Sequence, residues 1–200
     1  MIINPYVFAV AGPTGTTWNP SDTGASTGLS NGNLTATGLN LGATGPYVSR
    51  GTVGKSTGKY YYEVRVDSGS GGALVFGVCD AVASLSSVLQ NSETGADFAT
   101  YAAANGTYKR STFQAAGTTL TGGDVAGIAC DFTTGKIWFA KNNTWILSGN
   151  PGAGTNPVWT IATSVTYYPV VNTRSVWVVT ARFLTASWTY SAPSGFGEWT

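Results

Sequence analysis

The groups in this chain best suited to reaction chemistry are its nine carboxylates and two cysteines, and there is no histidine among its 200 residues. Without imidazole the usual general base at neutral pH and the commonest metal ligand are both missing. Paired carboxylates can still cleave glycosides when two stand roughly 5–9.5 Å apart across a cleft. The acids from which such a pair could be drawn are Glu63, Asp67, Asp80, Glu93, Asp97, Asp124 and Asp131. Plainer roles suit them better. Asp67, Asp80 and Asp131 end strand-like runs, where an Asp side chain closes a turn onto its own backbone. Asp124 follows Gly122-Gly123 at the entrance to a run, and Glu63 falls opposite an apolar face, beside Arg65 or a cross-strand base. Cys79 and Cys130 lie inside VFGVCD and AGIACDF. They read as reduced, buried thiols, with a disulfide between neighbouring strands as the alternative that Cα separation decides. Two separated cysteines make no zinc site without other soft ligands. No GxSxG, P-loop or EF-hand loop is present. The chemistry therefore points to a protein that is not an enzyme and holds no cofactor or metal, with glycan cleavage as a remote alternative.

The elements that must position these residues are strands. KYYYEVRV at 59–66 alternates, with Tyr60, Tyr62, Val64 and Val66 on one face and Tyr61, Glu63 and Arg65 on the other. Alternation of this kind marks a strand with one buried face. ALVFGVC at 73–79 is nearly all apolar and reads as a central strand. In the run 124–132, Ala126, Ile128, Cys130 and Phe132 share a face. Thr133-Thr134-Gly135 then turns the chain into KIWFAK at 136–141, and Asn142-Asn143 turns it again into 144–147, giving a β-meander. Later strands are expected at 167–171, 175–183 and 186–190. The only helical spacing, Val82, Leu85 and Leu89, supports one or two turns at most. Many short strands with frequent turns and no intervening helices predict a sandwich or barrel.

Composition narrows the partners. Hydrophobic residues make up 42% of the chain, charged residues 10%, and the net charge is +1. No broad positive field draws nucleic acid or an anionic membrane, so neither is an expected partner. Low charge also leaves little repulsion between copies. No apolar run approaches the ~18 residues of a membrane span. The N-terminal stretch MIINPYVFAVAGPTG has no basic residue before its apolar part and is interrupted by Pro5, so no secretory signal is expected. Residues 1–17 read as an apolar docking arm, with Ile3, Pro5, Tyr6 and Phe8 as its contacts, and residues 18–200 as one domain.

With these elements in place, GKYYYEV at 58–64 followed by VFGVCD at 75–80 resembles the opening of SPRY domains. GGDVAGIACDFTTGKIWFAKNNTWI at 122–146 resembles the family's most diagnostic segment, YYPVV at 167–171 its late Tyr-Pro strand, and SRGTVGKSTG at 49–58 its Arg-Gly stretch. The resemblance implies an all-β, bent, concanavalin-like (jelly-roll type) sandwich of two antiparallel sheets, without catalytic residues, that presents loops to a protein or peptide. Three loop regions carry its ligand face. Their counterparts here are Leu41 to Tyr47, the segment FATYAAANGTYKR with Tyr101 and Tyr108, and Asn172, Thr173 and Arg174. TWNPSDTG and LSNGNLTATG within 17–38, with WTYSAPSGF at 188–196, are similar to SPRY-like domains of bacteriophage structural proteins.

Aromatic residues add candidate contacts. Trp138, Trp177 and Trp188 fall in strands and read as packing, whereas Tyr101, Tyr108, Trp145 and Trp159 near turns and loops suit exposed contact or packing equally. The leading expectation is a phage virion component, such as a capsid decoration protein, whose arm docks on other virion proteins or on copies of itself. The alternative is a tail-associated adhesion module that places Tyr101, Tyr108 and Trp145 against a host surface glycan or protein.

Overall fold

The computed structural model describes residues 15–39, 45–71, 73–86, 97–103, 106–109 and 112–200. The arm contacts Ile3, Pro5, Tyr6 and Phe8 lie outside them, as do Leu41 and Glu93. Gly15 packs on Leu184, and Thr17, the last residue assigned to the arm, donates its backbone N–H to Thr52 Oγ1 at 3.1 Å.

In chain order the strands are β1 (Trp18–Thr23), β2 (Thr27–Ser30), β3 (Thr35–Gly38), β4 (Val48–Gly51), β5 (Lys59–Ser68) and β6 (Leu74–Asp80). They continue as β7 (Phe98–Ala102), β8 (Gly106–Lys109), β9 (Thr112–Ala115), β10 (Val125–Asp131), β11 (Lys136–Lys141) and β12 (Thr144–Trp145). The last four are β13 (Trp159–Thr160), β14 (Tyr167–Thr173), β15 (Val178–Arg182) and β16 (Gly197–Glu198). One sheet runs β1-β4-β14-β6-β7-β8-β9; the other runs β12-β11-β10-β5-β15-β3-β2, with β13 on β11 and β16 on β5. All pairings are antiparallel except β16 with β5. The expected two-sheet sandwich is what forms.

The alternation read along β5 and β10 builds the core. Tyr62, Val64, Val66, Ala126, Ile128, Cys130 and Phe132 meet Phe76, Val78, Ala99 and Tyr101 of the facing sheet. Burying each of the larger side chains contributes roughly 1.5–3 kcal/mol. The Tyr62 hydroxyl crosses the core to donate to the Gly77 carbonyl of β6. Gly77 itself has φ +152, and a Cβ there would stand 2.2 Å from the Ala99 carbonyl oxygen. Only glycine therefore lets β7 lie against β6. Asn142 (φ 46) and Asn143 (φ 65) form a two-residue turn with both residues left-handed, which matches the twist of the hairpin it closes.

Both sheets are also covered on their outer faces, which alternation alone does not reveal. Behind the first sheet, Val48, Val75, Cys79, Phe98, Ala102 and Val170 are buried with Ala83. Behind the second, Tyr61, Ala129 and Trp138 are buried under Phe196, with Trp145 and Trp188 packed alongside. So β5 is buried on two faces along its middle, and on the polar face Lys59 and Arg65 are exposed while Tyr61 and Glu63 are buried.

Four expected elements differ. The strand at 175–183 begins only at Val178, because residues 174–176 form a turn with Ser175 at φ 82. The strand at 186–190 is instead a 3-10 turn at Thr185–Ser187 followed by unpaired chain, because the N–H groups of Thr189 and Tyr190 bond a carboxylate of β5 rather than a neighbouring strand. The run 144–147 pairs only at Thr144–Trp145 and then enters a tight turn with Leu147 at φ 54. Of the helical spacing Val82, Leu85 and Leu89, Leu89 lies outside the described residues; 81–86 form turns, where Asp80 Oδ1 accepts the N–H groups of Val82 and Ala83. The cysteines are both free and buried, Cys130 between the sheets and Cys79 behind the first. Burial pushes both thiols up, Cys79 despite the nearby Arg50 guanidinium.

Candidate functional site at the loop end

At one end of the sandwich β3 and β14 finish while β4, β6 and β15 begin. There the counterparts of two of the three expected loops converge. The Tyr47 carbonyl accepts the Thr27 hydroxyl at 2.8 Å and the Thr173 N–H at 3.3 Å. Gly38 donates its N–H to the Trp177 carbonyl, and a Cβ on Gly38 would collide with the Thr173 carbonyl oxygen at 1.9 Å. Asn172 Oδ1 accepts the N–H of Arg174 at 3.0 Å, an Asx turn that lifts the chain out of β14.

This network corrects several exposures expected from the sequence. Tyr47, Asn172 and Thr173 are buried, and they shape the end of the sandwich from below. Tyr101 is not a loop residue. It lies in β7, fully buried, with ring centroids 5.5 Å from Phe76 and 5.9 Å from Phe139. Ala- and Gly-rich neighbours dilute the strand pattern of its run. Burial, with Asp124 nearby, pushes its hydroxyl up to about 12. Trp145 is half-buried, its ring edge-on to Tyr61 at 6.3 Å on the outer face of the second sheet, away from the loop end. Tyr108 belongs to β8, paired with Thr100 and Phe113.

The accessible side chains described at this end include Arg174 and two apolar residues the sequence reading missed. Leu39 is 46% exposed and Val176 45% exposed. Leu39 follows the end of β3 and donates its N–H to the Ser26 carbonyl, and Val176 lies in the turn that leads into β15. Arg174 has no ion-pair partner among the described residues. By contrast, the Arg50 guanidinium of the Arg-Gly stretch is fully committed. It binds Asp22 through two bonds of 2.6 and 2.7 Å and also donates to the Ala83 carbonyl.

The carboxylates are engaged in holding the fold. Glu63 is fully buried on β5. It accepts the Tyr61 hydroxyl at 3.0 Å and the N–H groups of Thr189 and Tyr190 at 2.7 and 2.8 Å, with Arg182 Nη1 3.5 Å away. Asp131 caps the Thr133-Thr134 turn, Asp67 accepts the Thr180 hydroxyl, and Asp97 accepts the Tyr167 hydroxyl at 2.6 Å. Partial burial works against charge on Asp124. The N–H of Thr121, the Asn142 amide and Lys141 outweigh it and hold its pKa below the usual value.

Two surface clefts accompany these features. One, of about 420 Å³, is lined by Ala116, Thr118, Lys141, Asn142, Thr144 and Ile146. The other, of about 290 Å³, lies in the C-terminal segment beside Trp188 and Tyr190. Neither lining includes a carboxylate, and among the described residues no group of three or more acidic or cysteine side chains could hold a metal.

Comparison with known proteins agrees with this geometry. The SPRY domain of human HERC1 superposes with a TM-score of 0.61 at 16% identity, covering 82% of this chain and 96% of that one. The TRIM65 PSpry domain gives 0.59 at 15%, covering 84% and 91%. Stonustoxin gives 0.59 at 17%, covering 84% of this chain and 27% of the toxin. No curated protein sequence is matched. The SPRY domain model itself matches residues 59–183, from the first strand of the β5 core to the end of β15, and the chain belongs to the SPRY domain family.

Proposed function

We propose that this SPRY domain is a non-catalytic protein-binding module that takes an extended peptide segment at its loop end. The observation that carries the reading is Arg174. It is a cation without an ion-pair partner among the described residues, at an end of the sandwich where the described residues also include the exposed apolar side chains of Leu39 and Val176. A ligand with an apolar side chain beside a carboxylate fits that face, since Arg binds carboxylates through two parallel bonds. Family membership supports it, as SPRY domains generally serve protein–protein interaction. The test is a peptide display selection against the full chain. Enrichment of apolar–acidic segments that is lost with Arg174→Glu supports the reading; enrichment indifferent to that change overturns it.

The biological setting we propose is a phage virion, with this chain as a capsid decoration or other accessory structural protein. The flanks at 17–38 and 188–196, the low charge and the apolar residues 1–17 support that setting. Immunogold labelling of intact particles tests it. Label spread over capsids fits decoration, label confined to tails moves the role to host recognition, and unlabelled particles overturn it. The host-glycan alternative loses one of its three aromatic contacts, because Tyr101 is buried in the core.

A further inference from the structure

We propose that the cleft formed by residues 185–192 binds one neutral sugar residue of a glycan chain. The proposal goes beyond the peptide-binding reading and uses another surface. The cleft follows the end of β15, whereas the loop end lies at its start.

The frame of the cleft is fixed from beneath. Glu63, fully buried on β5, accepts the N–H groups of Thr189 and Tyr190 at 2.7 and 2.8 Å. The Trp188 indole donates to the Arg182 carbonyl at 3.0 Å and stands edge-on to Tyr61, with ring centroids 5.0 Å apart. Ala192 packs with Trp188 on the same buried cluster. At the other end of the segment, Glu198 accepts the Thr185 N–H at 2.6 Å. Backbone and indole are therefore held in place before any ligand arrives, which lowers the ordering cost of binding.

The lining is Thr185, Trp188, Thr189, Tyr190, Ser191 and Ala192: two aromatic rings, three aliphatic hydroxyls and one methyl. The side-chain hydroxyls of Tyr190 and Ser191 have no hydrogen-bond partner among the described residues. Thr189 Oγ1 accepts Arg182 Nη1 and keeps its own proton to donate. A hydroxyl both donates and accepts, and so does every hydroxyl of a sugar, so the two sets pair in either sense. The ring of a sugar also has an apolar face of C–H bonds. Its slightly positive hydrogens suit the negative face of an aromatic ring.

Charge excludes the other ligand classes. No side chain of the lining is ionised at neutral pH. The guanidinium behind it, Arg182, lies 3.5 Å from Glu63 and donates to Thr189, so an anionic ligand finds no uncommitted cation there. Glu63 is sealed beneath the segment and Glu198 is engaged by Thr185, so a cationic ligand gains little. A peptide adding as a strand would need the N–H groups of Thr189 and Tyr190, and Glu63 already holds both. The volume, about 290 Å³, sits at the lower edge of the roughly 300–1,000 Å³ of small-ligand clefts. That suits one ring at a time, and a cleft at the surface leaves room for the chain to continue.

The test titrates the full chain with methyl glycosides of glucose, galactose, mannose and N-acetylglucosamine, followed by amide chemical shifts. At least one glycoside should give saturable shifts centred on residues 185–192, with a dissociation constant of order 1 mM. Tyr190→Ala, which keeps its backbone bond to Glu63, should weaken that binding roughly tenfold, the scale of one lost ring contact. Ser191→Leu fills the cleft from an exposed position without charge and should weaken it at least as much. No saturable shift up to about 100 mM of any of the four would overturn the proposal. So would shifts centred elsewhere, or binding indifferent to both substitutions. A proline-rich peptide that shifts the 185–192 amides when no glycoside does would overturn it in favour of a peptide groove. Arg174→Glu should leave glycoside binding unchanged while abolishing peptide selection, so the two proposals fail separately.

Discussion

Replacing Glu63 with alanine should destabilise the domain by about 3–5 kcal/mol, the usual cost of breaking a buried ion pair from one side. The magnitude follows from what loses its acceptor. The carboxylate is fully buried and serves two backbone N–H groups, a tyrosine hydroxyl and a guanidinium at once. Each orphaned buried donor costs about 1–3 kcal/mol when nothing replaces the partner. Partial entry of water into the space left by the side chain keeps the total below the sum. With a urea slope near 2 kcal/mol/M, the unfolding midpoint should fall by roughly 1.5–2.5 M. Amide exchange at Thr189 and Tyr190 should accelerate before global unfolding, because their N–H groups lose their only described partner. Replacing the pair together, Glu63→Leu with Arg182→Met, should recover part of the loss but not all, since the two backbone N–H groups stay unpaired. A loss under about 1 kcal/mol for Glu63→Ala, with exchange at 189–190 unchanged, would refute the reasoning. It would mean that the C-terminal segment is held by its aromatic packing alone.

Other residues give sharper tests of placement. Tyr101→Ala should cost about 3–5 kcal/mol, as for a large core truncation. Tyr101→Phe should cost under about 1 kcal/mol, since the hydroxyl's bond to the Thr118 carbonyl is long at 3.4 Å; thermal melts of the two would separate a core residue from a contact residue. Gly77→Ala should lower stability by more than about 2 kcal/mol, because its Cβ meets backbone and not a movable side chain. Asp124 has a depressed pKa in the folded protein, so its contribution is present above the unfolded carboxylate value and is lost as pH falls through the lower folded value. Asp124→Asn should therefore flatten the acid side of the stability profile below about pH 4, measured by denaturant melts across pH. Both thiols should resist a disulfide reagent in the native state and react on unfolding, as burial holds them protonated.

The strands that alternate or run apolar between strong turns were legible: Lys136–Lys141 has the expected bounds, and β5, β6 and β10 lie within a residue or two of them. Asp80 and Asp131 close their turns as Asp at a strand end suggests. Less legible were residues whose fate is set from far along the chain. Whether Tyr61 and Glu63 face solvent depends on residues 184–199, more than 120 positions away, and period-two alternation carries no record of that cover. Tyr101 looked like a loop aromatic because Ala102-Ala103 and Gly106 dilute the pattern of β7, while its burial comes from Phe76 and Phe139. Leu39 and Val176 carried no local signal, since their place at the loop end follows from where β3 stops and β15 starts, bounds that are set by the pairing of those strands.

That pairing also governs when the molecule can form. β15 lies between β3 and β5, and β14 between β4 and β6. Strands made early in synthesis are thus separated in each sheet by strands made last. A nascent chain that has not yet released the residues from Tyr167 onward has a gap in both sheets, and β3, β4, β5 and β6 then present open edges to solvent or to one another. Folding must wait for nearly the whole chain and close over long sequence distances, which makes it slow and leaves a window for wrong edge pairing. On a ribosome, the domain completes its sheets in one late step instead of growing strand by strand.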